Sequence, residues 1–188
     1  SWHFAWDVEP GGCSVDPIIA GTTVCMALAF ELPLNTSGFL LGIGGNEPKV
    51  LWRISELCAG IGYPILIGDY LYSMYGGPSN GFTDQLPASL RCYDLGSGRV
   101  LWEERFGSYR ENRSISLAAA NGTLILLDDK GTLYIAEASS EGYTEIARCD
   151  VLQGAAKPRL FWTPPVLCNA KIYCRNYTGD LVCIDVNK

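Results

Sequence analysis

Leu40-Leu41-Gly42-Ile43-Gly44-Gly45-Asn46-Glu47-Pro48-Lys49-Val50-Leu51-Trp52 and Leu90-Arg91-Cys92-Tyr93-Asp94-Leu95-Gly96-Ser97-Gly98-Arg99-Val100-Leu101-Trp102 lie fifty positions apart and align without a gap. Each copy is an apolar strand, a glycine-bearing turn and a second strand that ends in a basic residue followed by Val-Leu-Trp. Self-similarity at such a period marks a repeat architecture, in which one supersecondary unit buries its apolar faces only against its neighbours.

A second element precedes this one. Pro17–Cys25, Pro64–Tyr72 and Pro165–Tyr173 each read as an apolar run, a two-residue turn and another apolar run, with a weaker copy from Leu117 through Asn121-Gly122 to Ile125. Gly-Asp and Asn-Gly supply the positive φ angles of tight hairpins. A third element follows, Gly131-Thr132-Leu133-Tyr134-Ile135-Ala136-Glu137 and Gly179-Asp180-Leu181-Val182-Cys183-Ile184-Asp185. Alternation such as Leu181-Cys183-Asp185 suits a strand with two distinct faces. Assembled, a unit is hairpin, strand, turn and strand, which is the content of one propeller blade. The expectation is an all-β propeller of four-stranded antiparallel blades at about 17–54, 64–105, 117–147 and 164–186. The fourth unit lacks its last strand, and Trp2-His3-Phe4-Ala5-Trp6-Asp7 within residues 1–8 is the candidate to supply it. This arrangement fits either a closed four-blade ring or half of an eight-blade ring. In the second case two copies would complete a dimer.

Composition limits the function. Hydrophobic residues make up 48% of the 188 and charged residues 18%, a globular balance. A formal net charge of −6 disfavours nucleic acid and anionic membranes as partners. No apolar run approaches the roughly 18 residues of a membrane-spanning helix. Eight cysteines, none in a Cys-x-x-Cys pair, give no metal-ligand spacing, and several sit in strand patterns as small buried hydrophobes. The single histidine, His3, cannot build a histidine metal site or triad alone. Asp128-Asp129 and Glu103-Glu104 are adjacent pairs, which point to opposite faces of a strand and so make no acid–base couple. Asp128-Asp129-Lys130-Gly131 reads as a turn. The residues name no catalytic set, no metal site and no cofactor site.

LRCYDLGSGRVLWEE (90–104), GTLYIAEASSEGYTEIA (131–147) and WTPPVLCNAKIYCRNYTGDLVCIDV (162–186) resemble the pyrroloquinoline-quinone-like repeat family of β-propellers, whose pattern is G-x-L-x-A-L-D-x-x-T-G-x-x-x-W. Within it they are most similar to bacterial proteins of the outer membrane assembly factor B type. The second unit fits well, with Ser97 where Thr is usual. The first lacks the Asp and the Thr-Gly turn, and the third has its Trp position near Glu145-Ile146. The resemblance implies that Trp52 and Trp102, with Trp6 as a third, dock on a neighbouring blade's turn, and that Gly98 sits in that tight turn. It also implies the carboxy-terminal half of a larger propeller and a periplasmic or extracellular setting.

Three functions follow from the resemblance and the missing catalytic set. The leading one is a non-catalytic scaffold for a protein or small ligand. The alternatives are part of a quinone-dependent oxidoreductase, and part of a hydrolase or lyase whose site lies on loops elsewhere. The long glycine-rich loop of the second unit carries Tyr75, Phe82 and Asp84 as a candidate binding surface. Arg110, Arg113, Lys157 and Arg159 fall at corresponding places before the third and fourth hairpins, and are a second candidate surface on one propeller face.

Overall fold

The computed structural model describes residues 1–6, 15–28, 38–55, 57, 62–77, 86–106, 114–151 and 161–187. Every regular element among them is a β-strand. Sheet 1 is β1 (Ile18–Ala20), β2 (Thr23–Ala27), β3 (Gly38–Gly42) and β4 (Lys49–Ile54). Sheet 2 is β5 (Ile65–Ile67), β6 (Tyr70–Gly77), β7 (Leu86–Asp94) and β8 (Val100–Arg105). Sheet 3 is β9 (Ile115–Ala120), β10 (Thr123–Asp128), β11 (Thr132–Glu137) and β12 (Glu145–Asp150). Sheet 4 has three strands, β13 (Val166–Cys168), β14 (Lys171–Arg175) and β15 (Leu181–Asp185). Each strand pairs antiparallel with its sequence neighbour. The result is a β-propeller of four up-and-down sheets.

Residues 1–6 form no strand and do not extend sheet 4. Phe4 and Trp6 instead place their rings against Phe39 of sheet 1, with centroids 5.3 and 4.5 Å away. The aromatic contact with sheet 1 occupies the residues expected to close the fourth blade.

The two-residue turns after β1, β5, β9 and β13 set the register of each hairpin. Asn121 and Gly122 have φ of 49° and 74°, the doubly positive turn that Asn-Gly favours. Asn169 and Ala170 adopt the same conformation at 50° and 53°, so an alanine pays the left-handed cost there.

Pairing then aligns equivalent residues into rungs. One rung runs Ile18–Cys25–Leu40–Trp52 in sheet 1 and Ile65–Tyr72–Cys92–Trp102 in sheet 2. It continues as Ala118–Ile125–Ile135–Ala147 in sheet 3 and Val166–Tyr173–Cys183 in sheet 4. The position matching Trp52 and Trp102 in sheet 3 is therefore Ala147, slightly beyond the pair expected from the sequence. The register shifts beside this rung in all three four-stranded sheets, at Leu40/Leu41, Cys92/Tyr93 and Ile135/Ala136. The unpaired residues of these bulges are Leu51, Leu101 and Ile146, and all are exposed. A bulge that recurs at one place turns the outer strand and its tryptophan toward the next blade.

The rung faces the following sheet, and the opposite face of each sheet receives the preceding one. Cys25 and Leu40 pack with Leu71, Tyr93 and Leu95 between sheets 1 and 2. Tyr72, Leu90 and Cys92 pack with Ile115, Leu124 and Ala136 between sheets 2 and 3. Ile125 and Leu127 pack with Phe161, Ile172 and Cys174 between sheets 3 and 4. Each fully buried large side chain contributes roughly 1.5–3 kcal/mol of hydrophobic stabilisation. Burial pushes the Cys25 thiol up to about 12 and Cys92 and Cys174 to about 11, so these thiols stay protonated and inert at neutral pH. Cys149, Cys168 and Cys183 are exposed free thiols.

Candidate functional site

The turn between β7 and β8 is built by Asp94. Its carboxylate accepts hydrogen bonds from the Ser97 amide, at 2.8 Å, and from the Ser97 hydroxyl. Its carbonyl accepts from the Gly98 amide at 2.8 Å. Gly98 sits at φ 72°, and a Cβ there would meet the Trp52 ring at 2.9 Å. Only glycine both adopts this backbone and leaves room for the indole. Trp52 then donates its Nε1–H to the Leu95 carbonyl at 2.7 Å. The sheet 1 tryptophan thus anchors on the sheet 2 turn by a stacking contact and a hydrogen bond.

Beside this anchor the two sheets leave a cavity of about 550 Å³ lined by Arg53, Ile54, Ser55, Ser97, Gly98, Arg99 and Val100. Arg53 and Arg99 are exposed, and among the described residues neither guanidinium has an ion pair or a side-chain hydrogen bond. Two planar cations with ten N–H donors between them suit a carboxylate or phosphate, which they grip in bidentate fashion. The pocket is positive in a chain of net charge −6.

A third cation, Arg91, is already satisfied. Arg91 donates from Nε and Nη2 to Glu103 Oε2 at 2.9 and 2.7 Å, and its guanidinium carbon lies 3.4 Å from the centroid of the Tyr75 ring. Arg105 donates to the other Glu103 oxygen at 2.8 Å. Burial opposes ionisation of Glu103, but the hydrogen bonds and charges of Arg105 and Arg91 outweigh it and hold the carboxyl below its usual range. This cluster fixes the root of the long β6–β7 hairpin.

Tyr75 is therefore half-buried beneath Arg91. Phe82 and Asp84, expected on the same loop, lie outside the described residues, as do Arg110, Arg113, Lys157 and Arg159. Trp102 repeats the Trp52 hydrogen bond one blade on, donating to the Ser139 carbonyl at 2.9 Å. Trp6 places its ring edge-on to Phe39 of sheet 1, with centroids 4.5 Å apart. Asp128 is a turn residue: its Oδ1 accepts from the amides of Lys130 and Thr132 at 3.0 and 2.8 Å, and Tyr134 donates to Oδ2 at 3.2 Å. Among the described residues no group of three or more His, Cys, Asp or Glu side chains could hold a metal.

Arg53 and Arg99 carried no motif of their own in the sequence. The nearest signal was the basic residue that precedes Val-Leu-Trp in the second unit, which is Arg99.

No protein-family model matches the chain, and no curated protein matches it. Solved structures do. The computationally designed Ika4 protein superposes with a TM-score of 0.61 at 10% identity over 97% of this chain and 96% of that one. BamB from Moraxella catarrhalis gives 0.46 at 16% identity, and this chain spans 62% of its length. A europium-containing methanol dehydrogenase gives 0.45 at 17% identity over 66% of this chain and 22% of that one. The likeness to Ika4 shows a shared fold. The other two are looser.

Proposed function

We propose that this chain is a non-catalytic propeller scaffold that binds an acidic ligand in the cavity between sheets 1 and 2. The observation that carries this reading is the pair of guanidiniums, Arg53 and Arg99, that line one cavity with no partner among the described residues. The hydroxyl-bearing Ser55 and Ser97 complete a polar lining. An anion here exchanges hydration for charge-assisted hydrogen bonds to groups held by a rigid blade junction. Trp52 on Gly98 keeps the two walls together, so the seat is preformed and little ordering opposes binding. A segment rich in Asp or Glu on a protein partner is the ligand class favoured, because the site opens at the surface and is lined by two guanidiniums.

Calorimetric titration of a glutamate-rich peptide against its glutamine counterpart tests this. Saturable binding of the first alone, weakened by salt and lost in Arg53→Ala/Arg99→Ala at an unchanged unfolding midpoint, is the expected result. Equal binding of both peptides, or binding that survives the double substitution, refutes it.

A further inference from the structure

The rung that faces forward is covered in sheets 1, 2 and 3 and bare in sheet 4. Its central residue is 0% exposed at Cys25, 1% at Tyr72 and 3% at Ile125. At Tyr173, the counterpart in sheet 4, the side chain is partly exposed, and Cys183 beside it is open to solvent. Val166 and Leu181 on the same face are 57% and 67% exposed. The opposite deficit lies at the other end of the molecule. Leu71, Leu124 and Ile172, the rearward residues of the second strand in sheets 2 to 4, are all buried by the sheet behind. Val24 holds that place in sheet 1 and remains partly exposed, next to an exposed Ile19. Among the described residues, apolar clusters join sheets 1 to 2, 2 to 3 and 3 to 4, and none joins sheet 4 to sheet 1.

We infer that the forward face of sheet 4 docks on the rearward face of sheet 1 in a second copy of this chain. The argument is continuity. Three interfaces inside the molecule join a forward rung to a rearward face. The two unmatched faces are one of each kind: Val166, Tyr173, Leu181 and Cys183 share the forward face of sheet 4, and Ile19, Val24, Phe39 and Leu41 the rearward face of sheet 1. Phe4 and Trp6 cover Phe39 at the outer part of the sheet 1 face and leave Val24 and Ile19 for the partner. Two copies related by a two-fold axis satisfy each other reciprocally and close a ring of eight sheets, within the range of natural propellers.

Sedimentation velocity of the chain across a concentration series, with mass-spectrometric mapping of Cys183 alkylation, decides the matter. The expected result is a species of twice the 20.5 kDa chain mass with Cys183 protected. Val166→Glu/Leu181→Glu and, separately, Ile19→Glu/Val24→Glu both return it to the single mass, and both free Cys183. Leu181→Ser, at an exposed position, is the milder variant should the charged pair fail to fold, and it weakens the dimer without abolishing the fold. A single-chain mass at every concentration overturns the inference: with Cys183 protected it means the ring closes within one chain, and with Cys183 labelled it means the face stays open. A dimer lost through the sheet 4 variant but kept in the sheet 1 variant also overturns it, since sheet 4 then meets some other surface.

Discussion

Sheets 2 and 4 are two versions of one repeat in different surroundings. Sheet 2 has a neighbour on each face: its Tyr72 and Cys92 press on sheet 3 while its Leu71 and Tyr93 receive sheet 1. Among the described residues, sheet 4 has a neighbour on one face only, through Ile172 and Cys174. Tyr72 and Tyr173, and likewise Cys92 and Cys183, are the same residue types at matching positions, so their different burial comes from position in the array. A blade of this kind is half of two interfaces, and its stability belongs to the pairs it makes.

The largest break in this comparison comes from the central tyrosines. Tyr72→Ala should destabilise the protein by about 3–5 kcal/mol, the cost of emptying a packed aromatic site. Tyr173→Ala should cost about 1 kcal/mol or less in dilute protein, because half of its surroundings is solvent. Urea denaturation of both variants measures the contrast, and equal losses would mean that sheet 4 is covered in the monomer.

Next come the glycines that open the third strands. Gly131, at φ 90°, carries the Phe161 ring so closely that an added Cβ would meet it at 2.5 Å, whereas Gly179, at φ 95°, has open space around it. Both lose their permissive backbone on substitution, so alanine costs each one the same conformational strain. Gly131→Ala should lose a further 1–3 kcal/mol or so from overpacking. A thermal-melt comparison isolates that difference as the contribution of a docked following blade.

Ala170→Gly sharpens the contrast from the other side. It relieves the left-handed alanine in the sheet 4 hairpin and should stabilise the protein by about 1 kcal/mol. Gly122 already fills the equivalent turn position in sheet 3. A raised denaturation midpoint checks it.

The smallest effect is one of pH. Glu103 is ionised more readily in the folded chain than in the unfolded one, so its contribution is present above the unfolded carboxyl range. It is lost as pH falls below the unfolded carboxyl range and through the lowered folded one. Asp185, paired with Lys171 at 2.8 Å, is shifted the same way but stands in solvent on the open face of sheet 4. Stability measured down the acid limb should flatten in Glu103→Gln and change little in Asp185→Asn, since exposed pairs are screened.

The repeat made most of the fold legible before any coordinates. Apolar run, tight turn and apolar run predicted the inner hairpins, because the turn chemistry and the period-two pattern are both local. The docking role of Trp52 and Gly98 was implied by the family resemblance alone, since the local pattern does not say which blade a tryptophan meets. The remainder depended on distant neighbours. Ala147 could not be placed on the tryptophan rung from composition, since the rung is defined by pairing with Ile135 across a bulge. Phe161 on Gly131 joins residues thirty positions apart with no shared motif. Arg53 and Arg99 are ordinary surface arginines in sequence, and only the meeting of two blades brings them to one cavity. Nor did the pattern of residues 1–8, read as a closing strand, show that Phe4 and Trp6 lie on Phe39.

The pairing of every strand with its sequence neighbour has a kinetic consequence. No hydrogen-bonded ladder here waits for a distant part of the chain, so loop-closure entropy is small at each step of sheet formation. Contact order is correspondingly low for an all-β protein, and individual sheets can assemble as soon as their own strands exist. The slow event in refolding is then the docking of one finished sheet on the next. Substitutions at the tight turns should alter how fast sheets appear, while those at the Trp52 and Trp102 anchors should chiefly alter how fast the assembled array comes apart.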